Sequence, residues 1–311
     1  MGSMNAGVTS VEDFARHAIR VSLRQVSRLL AQATQRKSGN AKQTHQLRTA
    51  TRRADAALRL LIDWLPRRRQ QSMRKQVGEI RERAGAVRDL DVLIQRLPRL
   101  ADQLPLETLS WLQEHAASCR TMSVRSLRRY GRSRPMKTLQ DHSRSLRHRI
   151  RWRGGAEQPT LNELGTETLG RLAVKYSSAL QAIGGDVEPS QQLQRCHMVR
   201  IVGRRLRYTL ELLQDALPVT LLEPACEQLS KLQDTLGEVN DQNTALGYFR
   251  EWLVDCDDED CRTSLHKLID RETGTIAERV AAIMAEISPA VEQVINHLRQ
   301  WPDTSSGRAS N

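Results

Sequence analysis

Aromatic side chains are scarce in this sequence: two Phe, four Tyr and five Trp among 311 residues. A protein that holds nucleic acid by stacking bases on aromatic platforms needs more of them, and no recognisable DNA- or RNA-binding motif is present. Cysteine is sparse too. Five thiols, an odd number without a CxxC pair, do not make a disulfide scaffold and fit reduced thiols in a cytoplasmic protein. No run approaches the roughly 18 uncharged apolar residues of a membrane span, and no signal peptide is visible, so no membrane partner is expected. Alternating runs of Val, Ile, Thr and Tyr are missing, which argues against a β-sheet protein. There is no P-loop, no HExxH and no glycine-rich nucleotide turn, so neither a cofactor nor a catalytic metal is expected.

Positive charge, by contrast, is abundant and one-sided. The chain carries +12 overall, but residues 1–153 hold 33 Lys and Arg against 12 acids, whereas residues 154–311 hold 15 against 24. A field of that size attracts polyanions and speeds their encounter. Arginine supplies most of the charge, and its planar fork is the better bidentate ligand for phosphate. The stretch from Arg120 to Arg153 has twelve basic residues and one acid, Asp141. It reads either as a face lining a ligand groove or as an adhesive surface.

Apolar residues recur at i, i+3, i+4 and i+7 almost throughout, and prolines and glycines fall where helices should stop. The pattern predicts helices over 10–36, 41–65, 68–97, 106–130, 136–152, 160–183, 190–217, 222–254, 260–287 and 290–300. Long helices on short loops make antiparallel bundles. The expected fold is all-α, with two pseudo-symmetric helical bundles. Residues 1–9 read as an expression scar and flexible start, 10–153 as the first lobe, 154–301 as the second and 302–311 as a disordered tail.

The division rests on an internal repeat. His45-Gln46-Leu47-Arg48 followed by Arg52-Arg53 returns 152 residues later as His197-Met198-Val199-Arg200 followed by Arg204-Arg205. The same ungapped offset aligns Leu58, Leu61, Asp63 and Pro66 with Leu210, Leu213, Asp215 and Pro218, and Gly85, Val87 and Asp89 with Gly237, Val239 and Asp241. Self-similarity of this kind signals duplicated architecture.

On a helical wheel, Leu47, Ala50, Ala54, Ala57, Leu58, Leu61 and Leu65 share one face, while Arg48, Arg52 and Arg59 lie within about 60° of His45. In the second copy, Val199, Val202, Leu206, Leu210, Leu213 and Leu217 form the apolar face. His197, Arg200, Arg204 and Arg207 form the ridge, with Tyr208 close to the histidine. The second ridge sits inside the net acidic half, where generic surface charge has no reason to repeat a His-x2-Arg-x3-Arg-Arg pattern. Gly85 and Gly237 are expected to allow close helix packing or local distortion. Four residues further on, Asp89 and Asp241 can reach across to a ridge arginine and orient it, as ordinary salt bridges do. The acidic run Asp255-Cys256-Asp257-Asp258-Glu259-Asp260-Cys261 lacks EF-hand or zinc spacing and reads as a solvated loop.

These motifs resemble the CHAD family, the conserved histidine α-helical domain. The matching pieces are His45-Gln-Leu-Arg48-x3-Arg52-Arg53, Gly85-Ala-Val-Arg88-Asp89-Leu-Asp91-Val92, His197-x2-Arg200-x3-Arg204-Arg205-x-Arg207-Tyr208 and Leu232-Gln233-Asp234-x-Leu236-Gly237-x-Val239-Asn240-Asp241. The resemblance covers about residues 10–300. It implies two helical bundles around a basic cleft or pore, and binding of inorganic polyphosphate, with sulfate or phosphate as surrogate. Some relatives are associated with polyphosphate or polyhydroxyalkanoate granules, so granule proteins are further partners to test. The chain has no room for the triphosphate-tunnel-type domain fused to some relatives, and no fused catalytic activity is implied. One departure stands out: where the second copy has Arg207, the first has Asp55, so equal contact by both lobes is not expected.

Polyphosphate offers a row of charges with no bases or sugars, so its binder needs a continuous row of donors. The two ridges are expected to face one another, with His45, Arg48, Arg52, Arg53, Arg59, Arg88, His197, Arg200, Arg204, Arg205, Arg207 and Tyr208 at the site. Arg20, Arg24, Arg28, Arg125, Arg128, Arg129 and Lys175 would extend it, and Asp89, Asp91 and Asp241 would orient its arginines. The competing readings are a nucleic-acid binder and a phosphotransfer enzyme using His45 or His197 as nucleophile. The expectation is a binder, not an enzyme.

Overall fold

The computed structural model describes residues 10–35, 41–146, 149–155, 157–182, 189–214 and 219–306. Those residues form α1 (Val11–Ala33), α2 (Ala41–Leu60), α3 (Arg67–Arg96), α4 (Leu106–Gly131), α5 (Arg134–Leu146), α6 (Leu161–Gln181), α7 (Pro189–Leu212), α8 (Val219–Trp252) and α9 (Glu259–Ser306), with short 3-10 turns after α2, α3 and α8. Strands are absent among the described residues. The chain is all-α.

The local signals do what they should. Ser10 caps α1 by accepting from the Asp13 backbone N–H at 3.1 Å, and Thr160 with Glu163 closes a capping box at the start of α6. Asp258 caps α9 by accepting from the Cys261 backbone N–H at 2.7 Å, so the acidic run ends in a helix start. All five cysteines are unbridged.

The helices expected over 41–65 and 190–217 end at Leu60 and Leu212, and the structure departs further from the predicted boundaries at two other places. The helix expected over 136–152 stops at Leu146. The chain then runs back along the turn after α2, where the backbone N–H groups of Arg151 and Arg153 donate to the carbonyls of Trp64 (3.2 Å) and Asp63 (2.9 Å). Trp152 meanwhile packs on Trp64 with ring centroids 4.6 Å apart, and these bonds replace those a longer helix would have made. At the other end, the two helices expected over 260–287 and 290–300 are one. α9 passes through Ser288-Pro289 and on to Ser306. A proline inside a helix removes one hydrogen bond and crowds the preceding turn, but the helix can continue beyond it. The expected tail is therefore helical to Ser306, while its last residues and the expected flexible start, 1–9, lie outside the described residues.

α2 packs between α1 and α3 as α7 packs between α6 and α8. α4 and α5 lie on α3 and α1, and α9 covers α8 and α6. The halves meet where α2 crosses α7, α3 meets α8 and α4 meets α9. Buried apolar residues of both halves form one continuous cluster, from Leu47, Leu58 and Trp64 to Leu206, Leu210 and Phe249. Each fully buried leucine contributes about 1.5–3 kcal/mol. The apolar face expected for α2 is buried, as are Val199, Leu206, Leu210 and Leu213 of the face expected for α7; Val202 is half-buried, and Leu217 lies outside the described residues.

A polar link reinforces the α3–α9 side. Glu272, 7% exposed, accepts from the Arg96 guanidinium and from Gln242 Nε2 at 2.9 Å, and Arg279 donates to Gln242 at 3.2 Å. Removing one member of a buried charged network leaves its partner uncompensated. Glu272→Ala is expected to cost about 2–4 kcal/mol in chemical denaturation. A loss below about 1 kcal/mol would show that the network does not bind the halves together.

Candidate functional site

α2 and α7, the two helices that carry the repeat, are packed against each other, and their cationic ridges converge at the crossing. Arg52 of α2 shares a hydrogen bond with Tyr208 of α7, and Arg48 and Arg200 both lie close enough to act on it. Arg204 is within electrostatic reach of Arg52, Arg200 and Arg48. Arg88 of α3 acts on His45, together with Arg52 and Arg48. Five guanidiniums from three helices thus share one junction.

Two carboxylates thread between them. Asp89 accepts from Arg48 Nη1 at 2.8 Å and also acts on Arg200, as Asp241 does. Five cations and two carboxylates leave a surplus of positive charge, and the surplus is recessed. Arg48 is about one-fifth exposed, and the Nε atoms of Arg48 and Arg200 are buried without a hydrogen-bond partner.

The strain appears in the ionisation equilibria. Burial, then Arg52 and Arg200, push Arg204 down to about 8. Burial, then Arg48, push Arg52 down to about 10, while Tyr208 pulls the other way. Arg200 is lowered by burial and by Arg48, with Asp241 and Asp89 opposing. Arginine keeps its proton in proteins, so this crowding is expressed as a cost to the empty fold and a gain when an anion arrives. His45 is held below its ordinary value by partial burial and by Arg88, Arg52 and Arg48, although the side chain as a whole is exposed.

The remaining predicted residues separate into groups. His197 is exposed, and its Nδ1 lies 3.1 Å from Asn240 Oδ1 on α8. The histidine thus sits at the edge of a cavity of about 540 Å³ that also borders Arg200. Arg207 stacks over the Tyr208 ring at 5.0 Å and lies 3.7 Å from Glu211. Arg53 pairs with Glu211 across the crossing at 2.9 Å. Arg59 donates to Asp55 at 2.9 Å, and Arg205 has Arg59, Asp55, Arg74 and Arg171 as its charged neighbours. The first copy therefore carries Asp55 with Arg59 where the second carries Arg207 with Glu211, an i,i+4 pair of reversed polarity.

Asp91 turns away from the junction and pairs with Arg120 of α4 at 2.6 Å. Arg20, Arg24 and Arg28 are exposed on α1, Arg125 and Arg129 on α4 and Lys175 on α6, while half-buried Arg128 donates to the Gln35 carbonyl at 3.2 Å. The glycine reading needs correction. A Cβ on Gly85 would meet nothing within 4 Å, and one on Gly237 would meet only Arg200 Nη2, at 3.8 Å. On α7 the close approach is at Gly203 instead, where a Cβ would fall 2.9 Å from the Tyr176 ring of α6. Sequence reasoning also passed over Tyr248. Its hydroxyl is raised to about 12 by burial and then by Asp89, with Arg48 opposing, which places it beside the Arg48–Asp89 pair. No periodicity connects Tyr248 to α2.

Residues 20–250 match the CHAD domain family. The fold is similar to the CHAD domain from the plant Ricinus communis, with a TM-score of 0.70, 18% identity, and 96% of this chain and 94% of that one covered. It is also similar to PptA from Streptomyces chartreusis, with a TM-score of 0.60, 17% identity, and 94% and 99% covered. No curated protein sequence matches the chain. Among the described residues, no helix is long and apolar enough to cross a membrane.

Proposed function

This chain belongs to the CHAD domain family, and on that premise we propose that it binds inorganic polyphosphate, without catalysis, at the arginine junction between α2 and α7. The observation that carries the reading is the convergence of Arg48, Arg52, Arg88, Arg200 and Arg204 around, among the described residues, Asp89 and Asp241. Adjacent phosphates along a chain can be clamped by successive guanidinium forks. Tyr208 is only 3% exposed, so its ring cannot serve as a stacking face for a base. That favours a polyanion made of phosphate alone over nucleic acid. The same grip would tether the protein to polyphosphate held in a granule.

The test is competition at fixed ionic strength. Long-chain polyphosphate should displace DNA of equal charge, its calorimetric heat should show a length threshold, and affinity should fall steeply with salt. Stronger binding of DNA would overturn the reading. With Mg²⁺ and nucleotide present, chain length should stay constant; released orthophosphate or a phosphohistidine would make the protein an enzyme.

Protons report on the same contact. In the empty protein His45 is lowered, so its stabilising neutral state is held above the unfolded-state value of about 6.5 and is lost as pH falls through the lowered one. Bound polyanion raises that histidine, so binding takes up a proton and strengthens as pH falls, by at most about tenfold per unit. The gain starts at the bound-state value and levels off below the free-state one. Calorimetry in buffers of different ionisation enthalpy should show the uptake, and His45→Gln should remove it.

A further inference from the structure

A second pocket lies away from the junction, between the end of α2, Trp152 and Pro159, α6 and α7. Its volume is about 120 Å³, several times the roughly 30 Å³ share of a water molecule. We propose that it is a separate site for a single phosphate dianion, either free orthophosphate or the phosphoryl group of a monoester, held by Arg59, Arg171 and Arg205.

All three arginines line the pocket, each from a different helix. Arg205 has both Arg59 and Arg171 within electrostatic reach, so the charges converge. Arg59 is engaged by Asp55. Arg171 leans on Glu167 at 3.7 Å, with both side chains about two-thirds exposed, a weak contact that an incoming anion can exchange. The Arg205 guanidinium makes no hydrogen bond or ion pair within 4 Å among the described residues; Arg59 repels it, Asp55 offsets part of that, and Arg74 and Arg171 add to the repulsion. Among the described residues, Glu167 and Asp63 provide the carboxylates of the lining.

The wall adds an independent observation. Trp64 and Thr168, 1% and 9% exposed, both line the pocket, and Trp64 Nε1 and Thr168 Oγ1 are buried without hydrogen-bond partners. A buried indole N–H can only donate, and leaving it unpaired costs about 1–3 kcal/mol. Two unpartnered polar atoms on residues that share a lining with three guanidiniums can complete the donor set of an oxyanion. Trp152 closes the pocket against Trp64. Gly154 permits this, because a Cβ there would fall 2.0 Å from the Trp152 ring.

This site stands or falls independently of the polyphosphate reading. The experiment is titration of the full chain with orthophosphate, glycerol phosphate and chloride at matched ionic strength, followed by tryptophan fluorescence, which Trp64 and Trp152 report. A saturable change with the phosphates and none with chloride is expected, and the tighter phosphate identifies the source. Arg171→Gln should weaken it about fivefold, and adding Arg205→Gln should remove it, while Arg171→Gln leaves long-chain polyphosphate affinity within about twofold. Arg204→Gln should do the reverse. No saturable response, or one that Arg204→Gln abolishes and Arg171→Gln spares, would overturn the assignment.

Discussion

Arg52→Glu combined with Arg204→Glu is expected to weaken polyphosphate binding at least about a hundredfold while leaving helical content unchanged. Each charge-assisted hydrogen bond contributes about 1.5–3 kcal/mol, and about 1.4 kcal/mol is a factor of ten, so losing two such donors reaches that figure before repulsion is counted. The fold should tolerate the change, because Arg48 and Arg200 stand beside the substituted positions and would pair with the new carboxylates. Calorimetry and circular dichroism on the same sample check both halves of the expectation. Binding within about tenfold of the parent, with the fold intact, would remove the junction as the polyphosphate site.

The second large effect concerns the empty protein. Arg204 is recessed, and its only described hydrogen bond is a long one to the Arg200 carbonyl, 3.4 Å. It faces Arg52, Arg200 and Arg48. Replacing a poorly compensated buried charge with an apolar side chain of similar length is often stabilising, by about 1–4 kcal/mol. Arg204→Met should therefore raise the melting temperature of the free protein by several degrees, at about 2–4 °C per kcal/mol for a domain of 150–250 residues. The same variant should gain far less from polyphosphate. The parent is expected to gain about 2.7 kcal/mol at a ligand concentration one hundred times Kd. Scanning calorimetry with and without polymer separates the two effects. A destabilised free variant would show that Arg204 is satisfied where it sits and stores no cost for a ligand to relieve.

The two expectations pull a single residue in opposite directions, as a binding residue that taxes the fold should be pulled. The asymmetry at position 55 shows the complementary arrangement. Burial alone would raise the Asp55 carboxyl, but Arg59, Arg74 and Arg81 outweigh it and hold it below its ordinary value. The first copy has neutralised charge at the position where the second keeps Arg207 against Tyr208. The cations that remain crowded are those that converge from both copies.

Much of this could be read before any coordinates. The repeat and its spacing single out His45, Arg48, Arg52, Arg200 and Arg204, since side chains three, four and seven residues apart share a helical face. That Asp89 reaches a ridge arginine is legible from the motif, but that the arginine is Arg48 is not. Arg53, Arg59 and Arg205 sit on or beside the same ridges in sequence, yet Arg53 ends on Glu211 and Arg59 on Asp55. Asp91, two residues beyond Asp89, faces Arg120. Nothing in the sequence shows which neighbouring helix supplies the acid.

Helical periodicity, caps and the 152-residue repeat are local or one-dimensional properties, so the chain alone established the all-α class, the apolar faces of α2 and α7 and the ridges beside them. Where α2 crosses α7, and which guanidiniums are thereby stripped of water and pressed together, depends on packing between residues over 140 positions apart. A guanidinium on a long flexible stem takes its environment from whatever helix arrives opposite. The tertiary structure alone therefore decided that Arg204 is crowded, that Arg205 belongs to another pocket and that Tyr208 sits at the crossing.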